Sequence, residues 1–256
     1  TAGIRKFFSG PESFTPDTQY LLGETPEVNN LFVCSGFNSI GIASSGGAGR
    51  VTAEWMINGY MNEDLFSLDI KRFQSFHSSK KFIMERVTET LGDLYGMHWP
   101  YKQHSTSRNQ RLLPYHDELK KAGACFGVSG EYERPMWYAL NGKNSEYEYS
   151  FDYQNWYPSV KFETKNTISN VGLYELSPFS KYEIKGELAH KELQRICTAN
   201  VKDEVGRSTY TQMLNEAGGI ETDLTVICIE KNYFRIISSA ATRTHDKAHI
   251  VKHLSP

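Results

Sequence analysis

Apolar and polar positions follow two periods along this chain, and the points where the period changes mark its elements. Residues 31–34, Leu-Phe-Val-Cys, form an apolar run with no polar face. Too short for a helix, the run reads as an interior strand of a sheet covered on both sides. It breaks into a turn bracketed by Gly36 and Gly41, after which a helix runs to Asn58 with Gly59 as its stop. Gly46, Gly47 and Gly49 weaken that helix by roughly 1 kcal/mol each against Ala, and are tolerated where another backbone packs closely. The helix start carries partial positive charge and suits an electron-rich ligand edge. A plain helix packed on a sheet fits the same spacing, and the pattern leaves both open. Residues 41–48 have no lysine, which excludes a phosphate loop, and Ala43-Ser-Ser-Gly-Gly47 lacks the first glycine of a nucleophile elbow.

Around this stretch the pattern predicts a strand at 4–8, a turn-rich loop at 10–17 that is either surface or ligand-lining, and an extended piece at 20–22. Ser78 or Ser79 caps a helix whose apolar positions are Ile83, Val87, Leu91 and Leu94, ended by Gly96. A short helix follows at 114–122, stopped by Gly123. Residues 98–100 and 132–138 read as aromatic turns packed against the first domain. Aromatics at 147, 149, 151 and 153 alternate with polar residues, a period of two that predicts a strand over 143–157 crossing between domains. The remainder reads as a helix at 159–170, strands at 171–175 and 181–185, a helix at 188–197, and strands at 209–214, 224–230 and 233–238. The last two strands meet at a Lys231-Asn232 turn, residues 215–219 turn tightly between two others, and a final helix covers 246–253. This is an α+β unit with a mostly antiparallel sheet.

The 256 residues suffice for one large or two ordinary domains. A net charge of −2 gives no reason to expect nucleic acid or a charged membrane surface. No apolar window is long enough to span a membrane and no signal peptide is visible, so a soluble intracellular protein is expected. The chain begins at Thr1 without Met, almost directly on an extended segment, and so reads as a piece of something longer. Cys34, Cys125, Cys197 and Cys228 lack any Cys-x-x-Cys spacing and read as buried thiols. His245-Asp-Lys-Ala-His249 approaches a zinc-protease motif, but Asp replaces the Glu and no third ligand is placed, so no metal is expected and a solvated helix face is the better reading. His98 and His104, set among turn residues, fare no better.

Five motifs then occur in one order: Gly10-Pro-Glu-Ser-Phe-Thr-Pro-Asp17, the glycine-rich segment from Cys34 to Gly49, Tyr95-Gly-Met-His-Trp-Pro100, Gly123-Ala-Cys-Phe-Gly127 and Glu133-Arg-Pro135. Together they resemble the dimethylglycine and sarcosine dehydrogenase family. Downstream, Phe179-Ser-Lys-Tyr-Glu-Ile-Lys-Gly186 and the segment from Tyr210 to Val226 resemble the folate-binding aminomethyltransferase module of glycine-cleavage T-proteins. The resemblance covers nearly the whole chain. It implies a multi-domain α/β and α+β architecture. Residues 1–71 would be the C-terminal part of a D-amino-acid-oxidase-like FAD domain, 72–140 a central linking domain, and 141–256 the start of a T-protein-like folate domain.

The chemistry so implied is transfer of a hydride from the N-methyl group of a small amine to FAD, with tetrahydrofolate trapping the one-carbon unit. By the family's pattern Phe14, Thr15, Gly36, Phe37, Asn38, Ser39, Ile40 and Gly41 face the isoalloxazine ring, and Asn200, Tyr210 and Asn215 line the folate pocket. No Gly-x-Gly-x-x-Gly follows a strand before residue 36, so the adenine- and pyrophosphate-binding part lies outside this sequence. The later folate domains are likewise expected elsewhere in the parent chain. Three positions depart from the pattern. Ala43 stands where related sarcosine oxidases carry a lysine, Asn200 where T-proteins carry an Asp, and Glu175 where they carry another Asp. No catalytic residue is assigned. Two alternatives follow: a non-catalytic homologue similar to the regulatory subunit of pyruvate dehydrogenase phosphatase, or a one-carbon transferase with a vestigial flavin half. The resemblance implies the cytoplasm of a bacterium or the mitochondrial matrix of a eukaryote.

Overall fold

The computed structural model describes residues 3–140 and 142–255. Among the described residues three antiparallel sheets carry the fold. The first is a hairpin of β1 (Leu21–Glu24) and β2 (Phe32–Ser35), in which Leu21 pairs with Ser35 and Glu24 with Phe32. Helix α1 (Gly41–Asn58) lies on it and ends where Gly59 turns left-handed, at φ +79°. A Cβ on Gly23, at φ +101°, would meet the Trp55 ring at 2.2 Å, so this strand and helix approach too closely for any other residue. Leu22, Ala48 and Leu68 form the small core between them.

Two expectations fail here. Residues 31–34 are not an interior strand: β2 belongs to a two-stranded hairpin, and Cys34 is exposed rather than buried. The helix glycines are not packed either, because a Cβ on Gly46, Gly47 or Gly49 would meet nothing within 4 Å. The segment 4–8 forms no strand, having no ladder partner among the described residues, and Ile4, Phe7 and Phe8 are exposed.

Helix α2 (Lys80–Asp93) follows a 3-10 turn at Ser75–Ser78. Its buried stripe is Phe82, Arg86 and Thr90, while Ile83 and Leu91 are exposed. The pattern misplaces the stripe because Arg86 is buried by partners: it donates to the Thr106 carbonyl at 2.7 Å, and its guanidinium lies over Phe82. Helix α3 (His116–Lys121) leads into a hairpin of β3 (Ala124–Ser129) and β4 (Tyr132–Tyr138). Residues 132–138 are therefore strand, not turn. The turn is Gly130-Glu131, both at positive φ, the backbone that a two-residue hairpin loop requires.

No strand forms over 143–157. The alternating aromatics close a looped segment instead. Tyr147 stacks on Tyr149 and meets the edge of Trp137, the Tyr149 hydroxyl accepts from Gln103 N at 2.9 Å, and Phe151 packs on Trp99. Trp99 and Trp137 thus pack against this segment, not against the first domain. Helix α4 (Tyr157–Ser169) begins with Pro158 in its first turn. The following 171–175 is exposed and irregular rather than a strand.

The last sheet has the order β5-β8-β7-β6, from β5 (Ser180–Lys185), β6 (Ser208–Leu214), β7 (Ile220–Glu230) and β8 (Tyr233–Ser238). Its inner face presents Met213, Leu224, Val226, Cys228, Phe234 and Ile236 to Leu193 of α5 (Ala189–Ile196) and Ile250 of α6 (Arg243–His253). Helix α6 also rests on residues 59–73. Thr244 Oγ1 donates to the Phe73 carbonyl at 2.8 Å and Lys252 Nζ to the Gly59 carbonyl at 3.1 Å. Among the described residues no helix is long and apolar enough to cross a membrane.

Candidate functional site

The turn between β2 and α1 is built by one asparagine. Gly36, Asn38 and Ser39 all adopt positive φ. A side chain at Gly36 would also press on Thr15, whose Cγ2 lies 3.0 Å from the Cβ position. Asn38 is 1% exposed, and its amide ties the turn to the preceding loop. Its Oδ1 accepts from Thr15 N at 2.8 Å, its Nδ2 donates to the Gly36 carbonyl at 2.7 Å, and its own N–H donates to the Ser13 carbonyl at 3.1 Å. Phe37 stacks on Tyr20, and Arg72 holds the same loop through Asp17 at 2.7 Å. Thr15 and Asn38, both buried, therefore tie the loop at 13–19 to residues 36–41 as one connected unit, on which Ser39 and Ile40 are exposed.

This unit ends on an uncapped helix. Ile40 offers no side-chain cap, the first turn has no acidic residue, and the first helical bond runs from Ser44 N to the Ile40 carbonyl. The N–H groups of Gly41, Ile42 and Ala43 have no partner among the described residues. Ile42, fully exposed, and Ile40 flank them. Unpaired donors beside apolar side chains suit a flat ring with an electron-rich edge.

The folate-side residues all belong to β6 and its surroundings. Segment 198–202 runs along this strand. Thr198 N donates to the Gln212 carbonyl, Ala199 N to Thr211 Oγ1 and Lys202 N to Thr209 Oγ1. Asn200 therefore lies beside Tyr210. Its Oδ1 accepts from Gln194 at 2.7 Å, which leaves Nδ2 available. Tyr210 is exposed, and its hydroxyl donates to Asp223 at 3.1 Å. Asn215 sits at the far end of the strand and uses both ends of its amide internally: Oδ1 accepts from Ala217 N and Gly219 N, and Nδ2 donates to Glu221 at 2.9 Å. Glu175 caps Ser177 N at 2.9 Å, and Ala43 lies exposed near the start of α1.

Beside Asn215 lies a charged cluster that the sequence reading missed. His245 is not on a solvated face. Its Nε2 lies 3.1 Å from Glu221, its Nδ1 3.2 Å from Asp246, and its ring meets the edge of Phe66. Asp246 is wholly buried and accepts from Thr242 Oγ1 at 2.8 Å. Burial works to lower the affinity of His245 for its proton, but hydrogen bonds to Asp246 and Glu221 outweigh it and raise the imidazolium to about 9. The same bond from His245 holds Glu221 down at about 2, against its burial. His249, one turn on, is pushed down to about 4 by burial and by His253. The adjacency of His245 and Asp246 is visible in the sequence. Glu221, 24 residues away, is not.

Comparison with known proteins gives this geometry its context. Residues 115–256 match the GCVT N-terminal domain family, and residues 58–112 match the FAD dependent oxidoreductase central domain. The chain is 39% identical, over 98% of its length, to 4-methylaminobutanoate oxidase (formaldehyde-forming) of Paenarthrobacter nicotinovorans. It is 34% identical, over 99%, to the mitochondrial pyruvate dehydrogenase phosphatase regulatory subunit of Mus musculus. Mitochondrial sarcosine dehydrogenase of Mus musculus is 32% identical over 88% of the chain. These matches cover 30%, 30% and 27% of the respective relatives, so the chain spans less than a third of their length. More than half of the chain matches the GCVT N-terminal domain, directly after the segment that matches the FAD dependent oxidoreductase central domain and in the order that the motifs follow, and the chain therefore belongs to the GCVT N-terminal domain family.

Proposed function

We propose that this chain is part of an FAD-dependent oxidoreductase that demethylates an N-methylated amino acid, dimethylglycine- or sarcosine-like, and passes the one-carbon unit to tetrahydrofolate. The observation that carries the reading is the uncapped start of α1, joined through Asn38 to the 13–15 loop, in a chain whose next segment matches an FAD dependent oxidoreductase central domain. FAD, when bound, supplies the hydride acceptor, and tetrahydrofolate the acceptor for the one-carbon unit. Residues 36–41 with Phe14 and Thr15 would hold the flavin ring. The free N–H groups of Gly41, Ile42 and Ala43 would stabilise negative charge on its carbonyl edge. Asn38 acts through Thr15 and Gly36 as a positioning residue. Asn200 Nδ2 and the Tyr210 ring are available to a pteridine, and Asn215 contributes by shaping its turn. The proposed divisions at 71/72 and 140/141 fall just before Arg72, after the Leu22–Leu68 core, and after the β3–β4 hairpin. The compartment would be the cytoplasm in a bacterium and the mitochondrial matrix in a eukaryote.

The non-catalytic reading has its own support. Asn200 cannot take up a proton, and Ala43 offers no charge to a substrate carboxylate. One experiment separates the two: the visible spectrum of the full-length protein before and after anaerobic addition of dimethylglycine, sarcosine or 4-methylaminobutanoate. Loss of a flavin band is expected. A colourless protein would overturn the oxidoreductase reading and favour the regulatory one.

A further inference from the structure

A hydrogen-bonded chain runs from the buried first turn of α6 to the 215–219 turn on the candidate folate side. Thr242 Oγ1 and His245 Nδ1 both meet Asp246, which is wholly buried. From the other side of the ring, Nε2 reaches Glu221 Oε2 at 3.1 Å. The second oxygen of Glu221 accepts from Asn215 Nδ2 at 2.9 Å. Asn215 Oδ1 in turn accepts from Ala217 N at 3.1 Å and Gly219 N at 2.8 Å, so every link is occupied down to the backbone of the turn.

The other end of this chain abuts the segment that matches the oxidoreductase central domain. The His245 ring meets the edge of Phe66, with centroids 5.6 Å apart. Asp69, 2% exposed, attracts the imidazolium and faces Lys71 at 3.8 Å, whose ammonium lies 4.9 Å from the Trp55 ring of α1. Thr244, the neighbour of His245, is anchored on the Phe73 carbonyl. A ring with a carboxylate on each nitrogen holds one orientation, and Phe66 walls that orientation from the oxidoreductase side. Buried polar groups satisfied at every link behave as a unit, so a change at one end is felt at the other.

We infer that His245 is a positioning residue that couples the two halves: through Glu221 and Asn215 it sets the shape of the 215–219 turn according to how α6 sits on residues 66–73. With a carboxylate on each ring nitrogen, His245 takes no part in the one-carbon chemistry itself. The coupling rests on this geometry, and its consequence for folate rests on the role proposed above for the turn.

Hydrogen exchange of the full-length protein, read by mass spectrometry on the peptide spanning 213–221, reports the turn directly. His245→Leu should speed exchange there about tenfold, the change expected for loss of one buried hydrogen bond, with the α5 peptide unchanged. Phe66→Leu should speed it about threefold through loss of the aromatic edge. Glu221→Gln keeps an acceptor for Asn215 and a donor for a neutral His245, and should exchange as wild type. Calorimetric titration with 5-formyltetrahydrofolate, whose N5 is blocked against a one-carbon unit, should give affinities in the same order. In the unaltered protein this compound should slow exchange at 64–73 as well as at 213–221, because coupling is reciprocal. Phe66→Leu is the critical variant, since it changes no residue of the folate module. Exchange at 213–221 that Phe66→Leu leaves as in wild type overturns the inference. So does an unchanged affinity in the His245 and Phe66 variants of a protein that binds, or bound 5-formyltetrahydrofolate that leaves 64–73 unprotected. A wild type that binds none, while exchange follows the expected order, sinks the folate reading and leaves the coupling standing.

Discussion

The sheet of β5 to β8 and the hairpin of β1 and β2 are each covered by helix, yet one closes on itself and the other does not. In the first, eleven buried residues from three strands, two helices and the connecting segment form one core, with Tyr182 and Ile184 of β5 packed against it. In the second, three residues form the core, while Ile40, Ile42, Phe7 and Phe8 are exposed and Gly46, Gly47 and Gly49 of α1 border open space. Four antiparallel strands with two helices bury enough apolar surface to define a fold, whereas a two-stranded hairpin with one helix is marginal by itself. The surface left open on the hairpin is also the surface with the free helix N–H groups. Openness and candidate chemistry coincide there.

Substitutions can break or sharpen this contrast. The largest effect is expected in the closed unit: Leu193→Ala, at a fully buried position, should cost about 4 kcal/mol in urea unfolding followed by far-UV dichroism. Next comes His245, which joins the two regions. Its folded-state pKa is raised, so its contribution is complete below about 6.5 and is lost as the pH rises through about 9. The urea midpoint of the wild type should therefore fall across that window, by about 3 kcal/mol in stability. In His245→Gln the alkaline decline should be absent, and an equal decline in both proteins would show that another group titrates.

Within the hairpin unit, Gly23→Ala places a methyl group against the Trp55 ring in a left-handed backbone and should destabilise by about 2 kcal/mol, read as a lowered melting temperature. The smallest effect has the opposite sign. Gly47→Ala lies in open space on α1 and should stabilise this chain by up to about 1 kcal/mol. The same substitution in the full-length protein tests whether another backbone covers the helix. A loss of stability there would reveal one.

Much of the chain is legible from local pattern, and the errors share a cause. Helix α1 and its Gly59 stop, the β7–β8 hairpin at Asn232 and helix α5 all follow from spacing and turn chemistry, because their signals lie within a few residues of one another. The strand expected at 143–157 fails although its period of two is real. Its aromatics find partners in Trp99, Gln103 and Trp137 instead of a neighbouring strand, and period alone says nothing about partners. The buried stripe of α2 fails for a related reason, since Arg86 enters the interior only because Thr106 and Glu89 meet it there.

The candidate sites divide along the same line. Gly36 and the helix start at Gly41 are visible as sequence, but Asn38 as the residue joining two loops is not, because Thr15 is 23 positions away. The sequence by itself determined which segments are helical, the turns at Gly36, Gly59 and Asn232, and which family order its motifs follow. Each of these depends on dihedral preference and short-range spacing. Only the tertiary structure decided which polar groups are buried and with whom: Asn38 with Thr15, and His245 with Glu221. A polar side chain pays for its lost water only through partners that the fold brings from elsewhere in the chain.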